Sequence, residues 1–339
     1  MSQKKKIYLE VIRIIAILLV IFNHTDGFIY YTVPGNIVTH LYSLILAILC
    51  RIAVPLFFMV SGALLLGKEE SLSELFRKRI VRMLIVLVTV SAFYYLFDVA
   101  RGRIAPPGVR DFIFRLLTNR IRDSFWFLYA YIGVLVLLPF FRKVAPFCKG
   151  KLVLYLIGLR ILADLIVPSL NFGMGIAVPF DLGFVGDHYY YMLLGYYLDR
   201  EENERLSTGK LTIVLLLSVA LSGILVYCIK GISGTYQANV LDVFVFLMAP
   251  VVFSMIKRLM KGMTKSRQIE KWITAFGSCA FGIYLFDNFL RWQLLPVYLF
   301  LSENTVGIFA NSVYVLLTFL GGFIYTWILK KIPVVRRYL

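Results

Sequence analysis

The sequence predicts an all-α protein, a polytopic membrane bundle of about ten transmembrane helices with both termini cytoplasmic. Three observations carry this. The chain is 60% hydrophobic with a mean hydropathy of +0.81, whereas soluble domains are nearer 45–50% apolar. Its apolar runs are long and continuous, without the roughly ten-residue alternation of barrel strands, so the helix is the spanning element that satisfies the backbone in lipid. The Lys and Arg residues are distributed asymmetrically between alternate connecting segments. With the N-terminus inside, 25 of the 36 fall in inner segments, eight in outer ones and three within spans. That is the positive-inside pattern, and it requires an even number of crossings.

Taken in order, the spans expected are 7–28, 40–66, 80–99, 124–141, 152–170, 187–199, 211–229, 238–256, 272–291 and 306–329. Each of the long ones supplies the roughly 20 apolar residues that a hydrocarbon core of about 30 Å demands. The sixth, HYYYMLLGYYLD, is short and rich in tyrosine. In the second, RIAVPLFFMVSGALLLG, Pro55 follows Arg51 by four residues and predicts a kink, because proline frees the carbonyl one turn back. The outer segment 100–123 is rich in arginine against the general rule, and its run DFIFRLLTNRIRDS predicts an amphipathic helix on the surface. No internal repeat and no cleavable signal are visible, and residues 1–339 read as one membrane domain.

The net charge of +17 belongs to cytoplasmic loops and anionic lipid heads, so the bilayer rather than nucleic acid is the expected partner. Cys50, Cys148, Cys228 and Cys279 are scattered, with no metal-ligand spacing, and neither a disulfide framework nor a metal is expected.

Ionisable residues inside spans are costly and mark function by default. The first span holds Glu10, Arg13 and His24. At about 100° per residue, the eleven residues from Arg13 to His24 bring the second about 20° past three full turns, on the same side of the helix and about 16 Å farther along the axis. Glu10, three residues before Arg13, is placed to pair with it. His24 suits a general base, since imidazole titrates near working pH, and a covalent acyl carrier is the alternative. All three histidines, with Asp26, Asp98, Asp181, Asp187 and Asp287, fall toward the outer side. FRKRIVRM, opening the third span inside, puts Arg79 and Arg82 on one side, either as the positive-inside flank of the span or as a clamp for a phosphorylated cytoplasmic ligand. Arg51, beside the kink, is expected to face away from lipid. Trp126 sits at the outer interface, Arg160 and Asp164 form an i, i+4 pair, and Asp287 with Asn288 closes the ninth span.

These stretches together resemble the acyltransferase-3 family of integral-membrane O-acyltransferases. YLEVIRIIAILLVIFNH is similar to its first-helix signature, an Arg followed by ten residues and a His; RIAVPLFFMVSGALLL, FRKRIVRM, FWFLYAYIGVLVLLPF, YYYMLLGYYL and FGIYLF fit in order, over about residues 8 to 288. Two departures stand out: Asp287-Asn288 replaces a usual His-Pro, and Ser124-Phe125 replaces a His before the Trp-Phe-Leu stretch. The resemblance implies transfer of an acyl group, usually acetyl, from cytoplasmic acyl-CoA (acetyl-CoA) to a hydroxyl of an extracytoplasmic cell-surface glycan or carrier-linked sugar, in a multi-pass protein of the cell membrane without an appended esterase-like domain. It implies catalytic positions at His24 and Arg13, with Glu10 orienting the arginine, and donor-side positions at Arg79 and Arg82. Arg51 is grouped with these as donor-binding, and Asp287, Asn288 and Trp126 with the acceptor side or with orienting His24. The intramembrane charges also fit a small-molecule transporter, and the departures a non-catalytic partner on the same scaffold.

Overall fold

The computed structural model describes residues 6–25, 36–104, 107–174, 178–179, 187–200, 206–262 and 266–339. Among them there is no strand. In chain order the main helices are α1 (Ile7–His24), α2 (Ile37–Leu65), α3 (Leu72–Ala100), α4 (Val109–Leu117), α5 (Asp123–Phe147), α6 (Lys151–Leu170), α7 (Asp187–Arg200), α8 (Thr208–Ser233), α9 (Ala238–Lys261), α10 (Arg267–Asn304) and α11 (Gly307–Leu329). All but α4 and α7 are long and apolar enough to cross a membrane, so the described residues hold nine spans where ten are expected. The chain is a multi-pass helical bundle.

The missing tenth is α7. The 14 described residues of α7 rise about 21 Å, and the segments that flank them, 180–186 and 201–205, lie outside the described residues. Protein rather than lipid surrounds it: Tyr190, Tyr191, Met192, Leu193 and Leu194 are all buried. It crosses α2 at backbone distance. A Cβ on Gly62 would lie 1.9 Å from the Met192 carbonyl oxygen, and one on Gly195 would lie 2.1 Å from that of Met59. Small residues at a crossing are how membrane helices approach closely without a hydrophobic drive between them. The far end of α7 is tied down by charge. Lys257 donates to the Leu198 and Asp199 carbonyls at 2.6 and 3.0 Å, while Lys6 pairs with the Asp199 carboxylate at 2.6 Å.

Other spans also differ from the expected bounds, α3 for example beginning at Leu72 rather than at 80. The helix of α2 is interrupted at Arg51 and Ile52 by a turn, four residues before a proline that cannot donate to the Arg51 carbonyl. α10 runs on to Asn304, 38 residues in all. It continues about 25 Å past Asp287, where the Arg291 turn is followed by another apolar stretch that stays helical through Pro296. The amphipathic helix expected on the surface is present as α4, with Val109, Ile113, Phe114 and Leu117 exposed.

α1 lies at the centre, in contact with α2, α9, α10 and α11. α10 and α11 form a long antiparallel pair, and α7 fills the space between α2, α5 and α9. α6 and α8 are the least buried spans and turn most of their surface outward. Leu216, Leu217, Leu221 and Ile224 of α8 are exposed, as a lipid-facing helix requires. The result is a protein-lined α1 whose two ends, the Lys6 end and the His24 end, carry the polar groups.

Candidate active site

His24 occupies the last turn of α1, and its Nδ1 lies 2.5 Å from Oδ2 of Asp287 on α10. Asp287 is 1% exposed. A buried carboxylate beside an imidazole is accommodated when Nδ1–H donates to it, which fixes the tautomer and leaves Nε2 with the lone pair. Arg291, one turn along α10, donates through Nη1 to the His24 carbonyl oxygen, and its Nε stands 3.8 Å from the same Asp287 oxygen. The α10 turn is fixed from α3 and α5. The Tyr94 hydroxyl donates to the Leu285 carbonyl at 3.0 Å and accepts from the Phe289 N–H at 3.1 Å. The Tyr284 hydroxyl donates to the Ser124 carbonyl at 2.6 Å.

Asn288 does not join this dyad. Its side-chain oxygen accepts from Arg122 Nε at 3.2 Å. Arg122 also grips Asp98 with two nitrogens, at 2.6 and 3.0 Å, and its guanidinium lies 4.6 Å from the Tyr94 ring centroid. Neither Arg122 nor Arg291 is singled out by sequence reasoning. The available signals were the arginine excess in 100–123 and the i, i+4 spacing of Asp287 and Arg291. Asp26 and Asp181 lie outside the described residues.

Toward the Lys6 end, Arg13 Nη1 donates to both carboxylate oxygens of Glu10 at 2.9 Å, the i, i+3 pair that the spacing predicts. Glu10 is 4% exposed and is seated against Gly277 of α10, where a Cβ would fall 2.5 Å from its Oε2. One central helix thus presents two charged pairs about 16 Å apart, and both abut α10.

The remaining arginines separate. Arg79 shares the Glu70 carboxylate with Arg142, each at 2.8 Å. Burial pushes the Glu70 carboxyl up, and the hydrogen bonds and charge of the two guanidinium groups outweigh it, so its pKa is lowered from 4.5. Arg82 donates to the Tyr338 carbonyl at 3.1 Å. Arg51 is not among them. It lies toward the His24 end, 3.7 Å from Asp242, and with Trp126 it lines a cavity of about 720 Å³ that also touches Asn23, His188, Arg160 and Asp164. The His188 ring stacks on Phe58 at 4.5 Å and lies 6.1 Å from Trp126. Arg160 and Asp164 pair at 2.5 Å, as expected.

A family model described as an acyltransferase domain matches residues 6–331. The chain belongs to the acyltransferase-3 family. Comparison with curated proteins and with solved structures returns no match. In this membrane acyltransferase, Asp287 holds His24, Asn288 holds Arg122, and the Ser124 carbonyl holds Tyr284.

Proposed function

We propose that this acyltransferase moves an acetyl group from cytoplasmic acetyl-CoA to a hydroxyl of an extracytoplasmic cell-surface glycan or carrier-linked sugar. The observation that supports it most is the His24–Asp287 dyad at the end of a helix whose other end carries Glu10 and Arg13. His24 Nε2 takes the proton from the acceptor hydroxyl as its oxygen attacks the thioester carbonyl. The tetrahedral intermediate then collapses, the carbon–sulfur bond breaks, and the leaving thiolate takes the proton back from His24. Asp287 keeps the imidazole in the required tautomer and stabilises the imidazolium that forms. The phosphates of the donor meet the basic face at the Lys6 end, with Arg79 and Arg82 as the candidate contacts. The pantetheine arm, comparable in length to the roughly 16 Å from Arg13 to His24, passes Arg13 and presents the thioester to His24 from below.

The test is incorporation of radiolabelled acetyl into the cell envelope, with mass spectrometry of surface glycans for the mass of one acetyl group. His24→Ala, at normal protein level, is expected to lose roughly 10²–10⁴-fold in rate, the span that a general base supplies. Undiminished incorporation in His24→Ala overturns the reading.

A further inference from the structure

We propose that the cavity bordered by α2, α6 and α8 is the acceptor pocket, and that it takes the sugar of a lipid-linked acceptor, with Arg51 gripping the sugar's oxygens. The proposal rests on the acetyl-transfer reading and deepens it. It also moves Arg51 from the donor side to the acceptor side.

The first argument is Arg51 itself. Its Nε is buried and has no hydrogen-bond partner among the described residues, and the 3.7 Å to Asp242 is an ion-pair distance rather than a hydrogen bond. A guanidinium N–H at membrane depth without an acceptor is costly, and such groups in native proteins call for an explanation. Arg51 stands at the break in α2, on the wall of the cavity. A ligand oxygen there satisfies it.

The second is the shape and lining. A volume of about 720 Å³ lies within the usual range for ligand pockets, in which mostly apolar and aromatic walls carry a few polar groups. Here Trp126 supplies an exposed aromatic face, and Arg51, Asp242 and the Arg160–Asp164 pair supply the polar groups. That combination recognises a sugar ring, apolar on its C–H faces and hydroxylated at its edge. The α6 wall is also irregular. Residues Ile161–Ile166 form a π-helical turn, a feature frequent at functional sites.

The third is access. α6 and α8 both line the cavity, with no extensive packing between them among the described residues. Both are lipid-facing, and Ile232 of α8, on the cavity rim, is 72% exposed. A cavity bordered by two lipid-facing helices fits an acceptor whose sugar carries a lipid tail better than it fits a soluble polymer. The fourth is position. Asn23, the residue before His24 on α1, borders the cavity, although His24 itself is not among the residues that line it.

Cys228 offers a native reporter. It lines the cavity and is exposed, whereas Cys50, Cys148 and Cys279 are buried. The full chain in bilayer discs is labelled with N-ethylmaleimide, and modification of the Cys228 peptide is followed by mass spectrometry. A polyprenyl-phosphate-linked hexose is expected to slow labelling, while polyprenyl phosphate alone and acetyl-CoA do not. Arg51→Gln is expected to raise the half-protecting concentration about tenfold, with an unchanged labelling rate in the absence of probe. Trp126→Ala, which leaves every charge in place, is expected to raise it as well. Equal protection by the bare carrier, protection by acetyl-CoA, or no protection at all overturns the proposal. Binding and turnover separate the two readings. Protection without acetyl transfer in the wild-type protein defeats the transferase reading and leaves the pocket; transfer without protection defeats the pocket and leaves the transferase.

Discussion

At the scale of single residues, the decisive contact joins His24 to Asp287 across two helices. Asp287→Asn preserves the size of the side chain and removes the charge that fixes the imidazole tautomer. The expected outcome is a drop of roughly 10²–10⁴ in kcat for acetyl transfer, with the melting temperature near that of the wild type; an unchanged kcat contradicts the role. The Glu10–Arg13 pair was legible in the sequence because both partners lie on one helix and three residues apart is a fixed geometry. Asp287 was legible only as a group that either orients His24 or positions the acceptor, since the choice depends on how α1 and α10 cross. Arg122 and Arg291 were not legible as site residues. Their partners Asp98, Asn288 and the His24 carbonyl are brought to them by packing, and the positive-inside count treats arginines as labels of side rather than as ligands of particular carboxylates. Glu70 gives a pH prediction. Its pKa in the fold is lowered from 4.5 by Arg79 and Arg142 against the upward push of burial, so it contributes stability above its unfolded value that is lost as pH falls through the folded one. Thermal melting in detergent is expected to fall below about pH 4.5 more steeply for the wild type than for Glu70→Gln, which should start lower at neutral pH.

At the scale of helices, nine expected spans correspond to spanning helices because a long apolar run in a lipid-facing protein has one stable outcome. The break in α2 was legible from Pro55. The far end of α10 was not, because the Arg291 turn reads as an interface when the chain is scanned for apolar length alone, whereas in the fold its charge is met by Asp287 and the His24 carbonyl. The crossing of α2 over α7 was visible only as a Ser-Gly pair. Gly62→Ala puts a Cβ into the Met192 backbone, which no rotamer change relieves. The two helices must part, at an overpacking cost of about 1–3 kcal/mol, so a lower melting temperature is expected, with His188 and the cavity wall displaced. A melting curve that superimposes on the wild type contradicts the close approach.

At the scale of the whole molecule, the charge asymmetry predicts which way the bundle stands. Single cysteines introduced near Lys331 are expected to resist a membrane-impermeant maleimide in intact cells, and cysteines introduced into α4 are expected to react. The opposite pattern reverses the direction of the proposed transfer. The count of nine autonomous spans among the described residues also bears on that direction, because the same positive charge bias at the two ends calls for an even number of passages. α7 reconciles the two: it lies within the bundle, and its last turn is tethered at the Lys6 end by Lys6 and Lys257. This has a consequence for biogenesis. The described part of α7 carries a charged residue at each end, Asp187 and Arg200, which disfavours insertion on its own hydrophobicity. It must be admitted after α2 and α9 have built its berth, so the chain completes its topology late, by docking rather than by partitioning into lipid. The glycine crossing is therefore a checkpoint of assembly as well as a contact of the finished protein.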